Sequence, residues 1–351
     1  MADTKNFIYE AEKLSAVALA NIEQSVVLAG TVQKHPSADF DGAKGHVVNV
    51  RRPAMLNGFD EDIDAGKGKI SAEDEYTARH IKSEALNETV IGVKLDRHVY
   101  SAVDLSDAEM SLSVSNFATQ VAMPQTEAIV NKLEFMVANL LSTGKNTSDG
   151  VTLWTNENSS SVEIDLADHE KAGKAVRFAI AQLATSLTQR NIPTSGRFLV
   201  MGAQAAGLLL ADPNLSQVQA AGEASALRDA TITRLHGFTI VQDNRIGEFE
   251  IYAYHPTAIQ LVTRAPAVPA GGVAAGSSAA DGGYAIRWIR DYNSMTASER
   301  SFLSSYAGVT FVTDRARDKN GKVIETPKLI RAQKVTFKPK TTGGQSGAQA
   351  K

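Results

Sequence analysis

The chain of 351 residues contains no cysteine. Disulfide bonds, thiolate nucleophiles and zinc sites built on thiolates are therefore excluded. Aromatic residues make up only 6% of the chain, which disfavours the aromatic platforms on which single-stranded nucleic acids stack. The formal net charge is −3, whereas a dedicated nucleic-acid-binding domain is usually basic. What is present is the composition of an ordinary globular protein, with 43% hydrophobic and 21% charged residues.

Long hydrophobic runs are also missing. No stretch approaches the roughly 18 consecutive apolar residues that a membrane-spanning helix needs. The apolar segment 15–20 follows acidic residues and is too short for the core of a signal peptide. Apolar residues recur there at helical spacing instead: Phe7, Ala11, Leu14, Ala18 and Ile22. We therefore predict an amphipathic N-terminal helix, a cytoplasmic chain and no membrane partner.

The usual catalytic signatures are absent. A phosphate-binding Walker A loop would need glycine at positions 61 or 63, where the chain has Glu61 and Ile63. Neither Gly-x-Ser-x-Gly nor His-Glu-x-x-His occurs, and the seven histidines show no pair at metal-ligand spacing. The sequence thus predicts no catalytic residue, no metal site and no cofactor, and the chain is not expected to be an enzyme.

One glycine-containing stretch, NIPTSGRFLVMGAQAAGLLLADP (191–213), invites comparison with a nucleotide-binding loop. It lacks the Gly-x-Gly-x-x-Gly spacing that lets the backbone approach a pyrophosphate. Pro193 and Gly196 are better explained as a turn before a buried strand, and Pro213 as the stop of a short helix of small residues. We interpret this stretch as scaffolding.

Two segments with strand character enclose an acid-rich segment. Residues 46–53 and 89–100 alternate apolar and polar residues, whereas 54–88 hold nine acids against four bases. This pattern predicts a long hairpin with a charged tip, and a hairpin alone buries little apolar surface. Asp60–Asp64 could in principle hold a hard cation, but the glycine and distal glutamate of an EF-hand loop are missing. We interpret the acids as a solvated tip.

The remaining chain alternates between helices and strands. A capping box at Ser106–Glu109 predicts a helix start, and Pro124 is expected to interrupt the helix before 125–141. We expect 29–45 to be an extended linker and 265–283 to be a low-complexity loop without packed structure. A helix is predicted at 167–190, and strands at 197–202, 238–243, 249–254, 258–263, 284–293, 308–315 and 328–337.

Charge is distributed unevenly along the chain. Residues 314–340 contain nine bases against three acids, the complement of the acid-rich segment 54–88. Two solvated faces would explain this asymmetry, because isolated surface ion pairs contribute little. The alternative is that the acidic tip of one copy contacts the basic strands of the next. Such charge pairing would fix the register of the two subunits more than the strength of their binding. The candidate intersubunit contacts are Arg51, Arg52, Asp60, Glu61, Asp62, Asp64, Lys328, Arg331 and Lys334.

The order of elements resembles that of the major capsid proteins of tailed bacteriophages. NIPTSGRFLVMGAQAAGLLLADPNL followed by ALRDATITRLHGFTIVQDNRI is similar to a recurring stretch of that family. GAKGHVVNVRRP is similar to its junction between arm and hairpin. The chain departs from the family at 229–233, where relatives often carry glycines in the turn. The resemblance covers about residues 1–340.

This resemblance implies an α+β fold, the tailed-phage major capsid protein fold, with six segments. They are an N-terminal arm (1–44), an extended β-hairpin loop (45–100), a peripheral-domain spine helix (101–145), an axial α/β domain (146–283), peripheral-domain β strands (284–340) and a disordered tail (341–351). A hairpin and an arm without a core of their own are then expected to be buried by a neighbouring copy.

The resemblance further implies pentamers and hexamers that form an icosahedral head around double-stranded DNA, bound without sequence specificity. The expected partners are other copies of the chain, a portal and, in heads that carry one, a decoration protein. A separate scaffolding protein is also expected, because an arm of only 44 residues is short for a built-in scaffolding domain. The expected location is the virion, assembled in the host cytoplasm. Two alternatives remain open at this point: an encapsulin-type shell enclosing a cargo enzyme, and a soluble α/β enzyme with convergent titratable groups in a pocket.

Overall fold

The computed structural model describes residues 11–35, 47–52, 56–59, 83–85, 89–112, 117–146, 150–213, 234–271, 275–315, 317, 322–324 and 326–340. The helices in these ranges are α1 (Ala11–Ser25), α2 (Asp107–Leu112), α3 (Met123–Thr143), α4 (His169–Gln189) and α5 (Ala203–Leu210). The strands are β1 (Gln33–Lys34), β2 (Val47–Arg52), β3 (Thr89–Lys94), β4 (Arg97–Ser106), β5 (Ser159–Ile164), β6 (Arg197–Met201), β7 (Arg234–Leu235), β8 (Phe238–Gln242), β9 (Glu250–Tyr254), β10 (Ile259–Arg264), β11 (Ala275–Asp281), β12 (Tyr284–Asn293), β13 (Ser298–Phe311) and β14 (Ala332–Pro339).

The first sheet is built around the long strand β13. Its strand order is β1-β10-β13-β12-β11, and β4 also pairs with β13. Helices α1 and α3 pack on this sheet and bury one continuous apolar cluster. Its members include Leu14, Ala18, Ile22, Ile129, Leu133, Val137, Ile286, Leu303 and Val309. The apolar face of the N-terminal helix is therefore confirmed from Leu14 to Ile22, while Phe7 lies outside the described residues.

The second sheet has the order β5-β14-β9-β6-β8-β7 and packs against α4 and α5. The predicted apolar face of α4 is confirmed, because Val176, Ile180, Leu183 and Leu187 are all buried. Asp168 caps this helix, since its side chain accepts the backbone N–H of Lys171 at 3.0 Å. The stretch 191–213 forms a turn, the buried strand β6 and the short helix α5, as predicted.

Pro124 does not interrupt the long helix. It lies in the first turn of α3, where the helix does not need the N–H group that a proline lacks. A π-helical turn over Ala118–Ala122 leads directly into α3. The capping box before α2 is confirmed. Glu109 Oε2 accepts the N–H of Ser106 at 2.9 Å, and Ser106 Oγ accepts the N–H of Glu109 at 3.3 Å.

Two segments expected to be irregular take part in the first sheet. Within 265–283, β11 pairs along its length with β12, and the hairpin turns through Gly282 and Gly283 at φ of 55° and 83°. Two successive residues with positive φ form a type I′ turn, whose geometry matches the twist of a β-hairpin. The two glycines therefore favour the pairing of β11 with β12, although the sequence of β11 is of low complexity. Within 29–45, β1 pairs with β10, and Val32 is buried.

The strand predicted at 89–100 is two strands. β3 pairs with β2, whereas β4 begins at Arg97 and pairs with β13 over ten residues. The strand predicted at 308–315 is only the end of β13, which begins at Ser298. The pairing of β4 with β13 joins segments about 200 residues apart, and a partner at that distance leaves no local sequence signal.

Each sheet combines strands from 146–283 with strands from 284–340. β10 and β11 come from 146–283 but pair with β12 and β13 of 284–340 in the first sheet. β14, from 284–340, instead joins the second sheet between β5 and β9. The division of these segments into an axial and a peripheral domain stays a prediction.

Candidate assembly surfaces

The described part of the predicted hairpin consists of β2, β3 and the two short segments 56–59 and 83–85. β2 and β3 form an isolated two-stranded ladder, with Val47 opposite Lys94 and Arg52 opposite Thr89. Val47 and Val90 are exposed on it. The predicted hairpin stem is thus confirmed, and Val47 and Val90 lack a cover within the described part of the chain.

The hairpin is anchored to the first sheet at one end. Val93 is fully buried against Val262 of β10. Gly308 of β13 lies so close to β3 that an added Cβ would stand 2.1 Å from the Lys94 carbonyl oxygen. Only glycine permits this approach, so the position of the stem depends on one residue of the opposing strand.

A second anchor holds the base of the acid-rich segment. Asn57 and Glu84 are joined by two hydrogen bonds, at 2.9 Å to the Asn57 backbone nitrogen and 2.6 Å to its Nδ2. Asn57 Oδ1 also accepts the N–H of Val323 at 2.8 Å, and Arg317 Nη2 donates to the Leu56 carbonyl at 2.8 Å. The hydrogen bonds from Asn57 lower the pKa of Glu84, with a smaller contribution from Arg317. The base of the acid-rich segment therefore meets the basic segment of the same chain.

The candidate contact residues fall into two groups. Arg51 and Arg52 lie on β2, opposite Val90 and Thr89, and Asp60, Glu61, Asp62 and Asp64 lie outside the described residues. The three C-terminal bases have partners within the chain. Lys328 Nζ lies 2.8 Å from Glu157 Oε1, Lys334 Nζ lies 2.6 Å from Glu250 Oε1, and Arg331 contacts the carboxylate of Asp314. Intersubunit pairing through these residues stays a prediction.

The end of α1 is held by a buried carboxylate that the sequence analysis did not single out. Glu134 of α3 is 1% exposed and accepts the backbone N–H groups of Val27, Leu28 and Ala29 at 2.7, 2.8 and 3.2 Å. Arg245 Nη1 lies 3.9 Å from its Oε2. The sequence feature that could have identified Glu134 is the position of an acidic residue next to Leu133, on the apolar face of a helix.

Other kinds of site were sought over the same residues. In the part of the chain that the structure describes, no three side chains of histidine, aspartate or glutamate converge as metal ligands. Over those residues, no helix is long and apolar enough to cross a membrane. The acidic run at 60–64 lies outside this search.

Comparison by sequence finds no matching family model and no matching curated protein. Comparison by structure finds many solved chains of the same fold. A chain from Mycobacterium phage Che8 is 17% identical, with a TM-score of 0.57 over 89% of this chain and 91% of that one. A chain of the mature capsid of bacteriophage PhiM1 is 13% identical, with a TM-score of 0.53 over 84% and 82%. One from the capsid of the cyanophage P-SCSP1u is 10% identical, with a TM-score of 0.53 over 85% of each chain.

These matches span nearly the whole chain and come from phage structures, two of them capsids by description. The chain has the α+β fold of phage major capsid proteins. The fold that the sequence resemblance implied is therefore confirmed.

Proposed function

We propose that this chain is the major capsid protein of a tailed phage, which self-assembles into pentamers and hexamers of an icosahedral head around double-stranded DNA. The observation that carries the proposal is the fold shared with phage capsid chains over more than four-fifths of the sequence. The exposed apolar side chains of the β2–β3 stem support it, because such a stem needs another surface to cover it.

In this proposal the six segments keep the roles that the resemblance implies. Residues 1–44 are the arm, 45–100 the extended loop, 101–145 carry the spine helix α3, and 341–351 form the tail. Residues 146–283 are the axial domain and 284–340 the strands of the peripheral domain; β14 pairs in the second sheet, and β10 and β11 pair in the first. The protein acts without catalysis, beside a separate scaffolding protein, a portal and, in heads that carry one, a decoration protein.

Electron microscopy of the purified full chain tests the proposal. Rings of five and six subunits or closed icosahedral shells are the expected result, and a monodisperse monomer at all concentrations would contradict it. Shells produced together with the other head proteins should contain nuclease-protected DNA. A shell with a cargo enzyme in place of DNA would instead establish the encapsulin-type alternative.

A further inference from the structure

The base of the acid-rich segment carries an asparagine directly followed by a glycine, Asn57–Gly58. A glycine at this place leaves its backbone nitrogen accessible, because no side chain hinders the approach of that nitrogen to the asparagine side chain. Gly58 is itself exposed, and a Cβ added to it would meet no heavy atom within 4 Å. The backbone therefore has the space it needs to bring the Gly58 nitrogen to Asn57 Cγ.

The Asn57 side-chain amide holds this base in place through both of its polar atoms. Nδ2 donates to Glu84 Oε1 at 2.6 Å, and Oδ1 accepts the N–H of Val323 at 2.8 Å. Val323 is buried and lies between β13 and β14, so the contact joins two distant segments. This arrangement requires a donor and an acceptor on one side chain, which an amide provides and an ionised carboxylate does not.

The hydrogen bond to Oδ1 also bears on the reactivity of the amide. The Val323 N–H donates to the oxygen on which negative charge develops when a nucleophile adds to Asn57 Cγ. The nucleophile is the neighbouring Gly58 nitrogen, and attack within one chain avoids the entropic cost of bringing two molecules together. The site thus combines a nearby nucleophile with a donor on the attacked carbonyl group.

We propose that Asn57 is a deamidation site and that its conversion to aspartate or isoaspartate opens the contact with Glu84. The Gly58 nitrogen loses its proton to hydroxide and bonds to Asn57 Cγ, while the bond from Cγ to Nδ2 breaks and ammonia leaves with a proton from water. Water then hydrolyses the cyclic imide. Aspartate forms when the new bond from Cγ to nitrogen breaks, and isoaspartate forms when the original peptide bond breaks. The net reaction consumes one water and releases one ammonia, without oxidation or reduction.

The product places a second negative charge at the anchor. The atom that donates to Glu84 Oε1 is replaced by a carboxylate oxygen, so two anions face each other across the former hydrogen bond. The hydrogen bonds from Asn57 are the largest causes of the low pKa of Glu84, and Arg317 contributes less. The arginine therefore does not replace these hydrogen bonds, and we expect the two carboxylates to separate near neutral pH. The change takes place within the single chain and does not depend on shell formation.

Incubation of the full chain at body temperature in mildly alkaline buffer, followed by peptide mapping with mass spectrometry, tests the reaction. The peptide that contains Asn57 should gain about one dalton with time, because OH replaces NH2, and should split into aspartate and isoaspartate forms. The reaction should be faster at higher pH, because the attacking nitrogen must lose a proton. An Asn57 peptide that keeps its mass under conditions that deamidate a synthetic peptide of residues 54–61 would overturn the proposal.

A glycine variant tests the role of the attacking nitrogen. Gly58→Ala should slow the reaction at least about tenfold, because the new methyl group hinders the approach of the nitrogen, while the open space around it leaves the fold unchanged. The matched control is Gly271→Ala, which also has open space around the added atom and follows an alanine. This control should leave the rate at Asn57 unchanged. Equal rates in Gly58→Ala and the parent chain would refute the mechanism.

The opening of the anchor is tested on the product itself. Asn57→Asp should accelerate hydrogen exchange of the Val323 amide by about tenfold near neutral pH, because repulsion from Glu84 moves the acceptor Oδ1 away from this N–H. The matched control is Asn49→Asp, which adds the same charge at an exposed position of β2 and should leave this exchange unchanged. Unchanged exchange in Asn57→Asp would overturn the proposal.

A second substitution shows whether charge is the cause. Asn57→Asp combined with Glu84→Gln exchanges the two groups, so that an amide again donates to a carboxylate. Its amide oxygen can still accept the backbone N–H of residue 57, which Glu84 Oε2 accepts at 2.9 Å in the parent chain. The double variant should therefore exchange at the parental rate. Exchange as fast as in Asn57→Asp alone would contradict the role assigned to the second carboxylate.

Discussion

Glu134 Oε2 accepts the backbone N–H of Leu28 at 2.8 Å, across 106 residues of sequence. The same carboxylate binds the next N–H on either side, so three successive amides after α1 converge on one side chain of α3. A buried carboxylate is costly unless hydrogen bonds replace its hydration, and here they do. This contact attaches the end of the N-terminal helix to the long helix.

Glu134→Gln is expected to destabilise the chain by about 2 kcal/mol, because hydrogen bonds to a charged group contribute about 1.5–3 kcal/mol each and the amide keeps only one acceptor. Urea unfolding measures the loss, and hydrogen exchange should accelerate at residues 26–32. Glu127→Gln, on the exposed face of the same helix, is the control and should change neither. Equal effects of the two substitutions would show that the attachment is not specific.

Gly308→Ala is expected to displace the hairpin stem. The new methyl group would stand 2.1 Å from the Lys94 carbonyl oxygen, so β3 or β13 must shift, at a cost of about 1–3 kcal/mol. The thermal unfolding midpoint should fall, and hydrogen exchange of β2 and β3 should rise. Gly207→Ala in α5 has open space around the new atom and should stabilise the chain slightly. A neutral Gly308→Ala would contradict the close approach.

Asp168 gives a prediction for pH dependence. The side-chain hydrogen bond with Lys171 and then the backbone hydrogen bond from the same residue lower the pKa of Asp168 below its ordinary value of 3.8. Because the folded-state pKa is the lower one, the stabilising contribution is complete above pH 3.8 and is lost as the pH falls through the folded-state value. Asp168→Asn retains the cap but cannot titrate.

The urea midpoint, measured between about pH 2 and pH 6, should therefore fall less steeply in Asp168→Asn than in the parent chain below the ordinary aspartate pKa. At pH 6 the variant should be slightly less stable, because the neutral amide does not pair with Lys171 Nζ, which lies 2.8 Å from the aspartate Oδ2. Parallel pH profiles would show that this carboxylate plays no part in acid unfolding.

Reversing Asp60, Glu61 and Asp62 to lysine tests the charge-pairing hypothesis. If the acidic tip of one copy meets basic strands of the next, assembly should require higher protein concentration and lose its salt dependence. The control reverses three exposed acids outside this segment, Glu127, Asp165 and Glu170. Particle yield by sedimentation is the readout, and unimpaired assembly of the first variant would rule the pairing out.

Much of the local structure could be predicted from the sequence. Helical spacing of apolar residues identified α1, α3 and α4, and the capping box located the start of α2. These features depend on residues three or four positions apart, so a short window contains their whole cause. The loop prediction for 265–283 holds at 265–271 but is wrong at Ala275–Asp281, which form β11. The Gly282–Gly283 pair favours a hairpin turn, but the Ala and Ser residues before it give no periodicity.

Only the tertiary structure decided which strands share a sheet and which polar groups meet. The length of β13 depends on β4, β10 and β12, and the assignment of β14 to the second sheet depends on β5 and β9. The attachment of residues 27–29 to Glu134, and the contact of Asn57 with Val323, join segments far apart in the chain. The sequence by itself determined the long helices and the strands with a clear apolar pattern, because helix and strand periodicity is local. Strand pairing, burial of a carboxylate and convergence of polar groups are set by contacts between distant segments, so they exist only once the chain has folded.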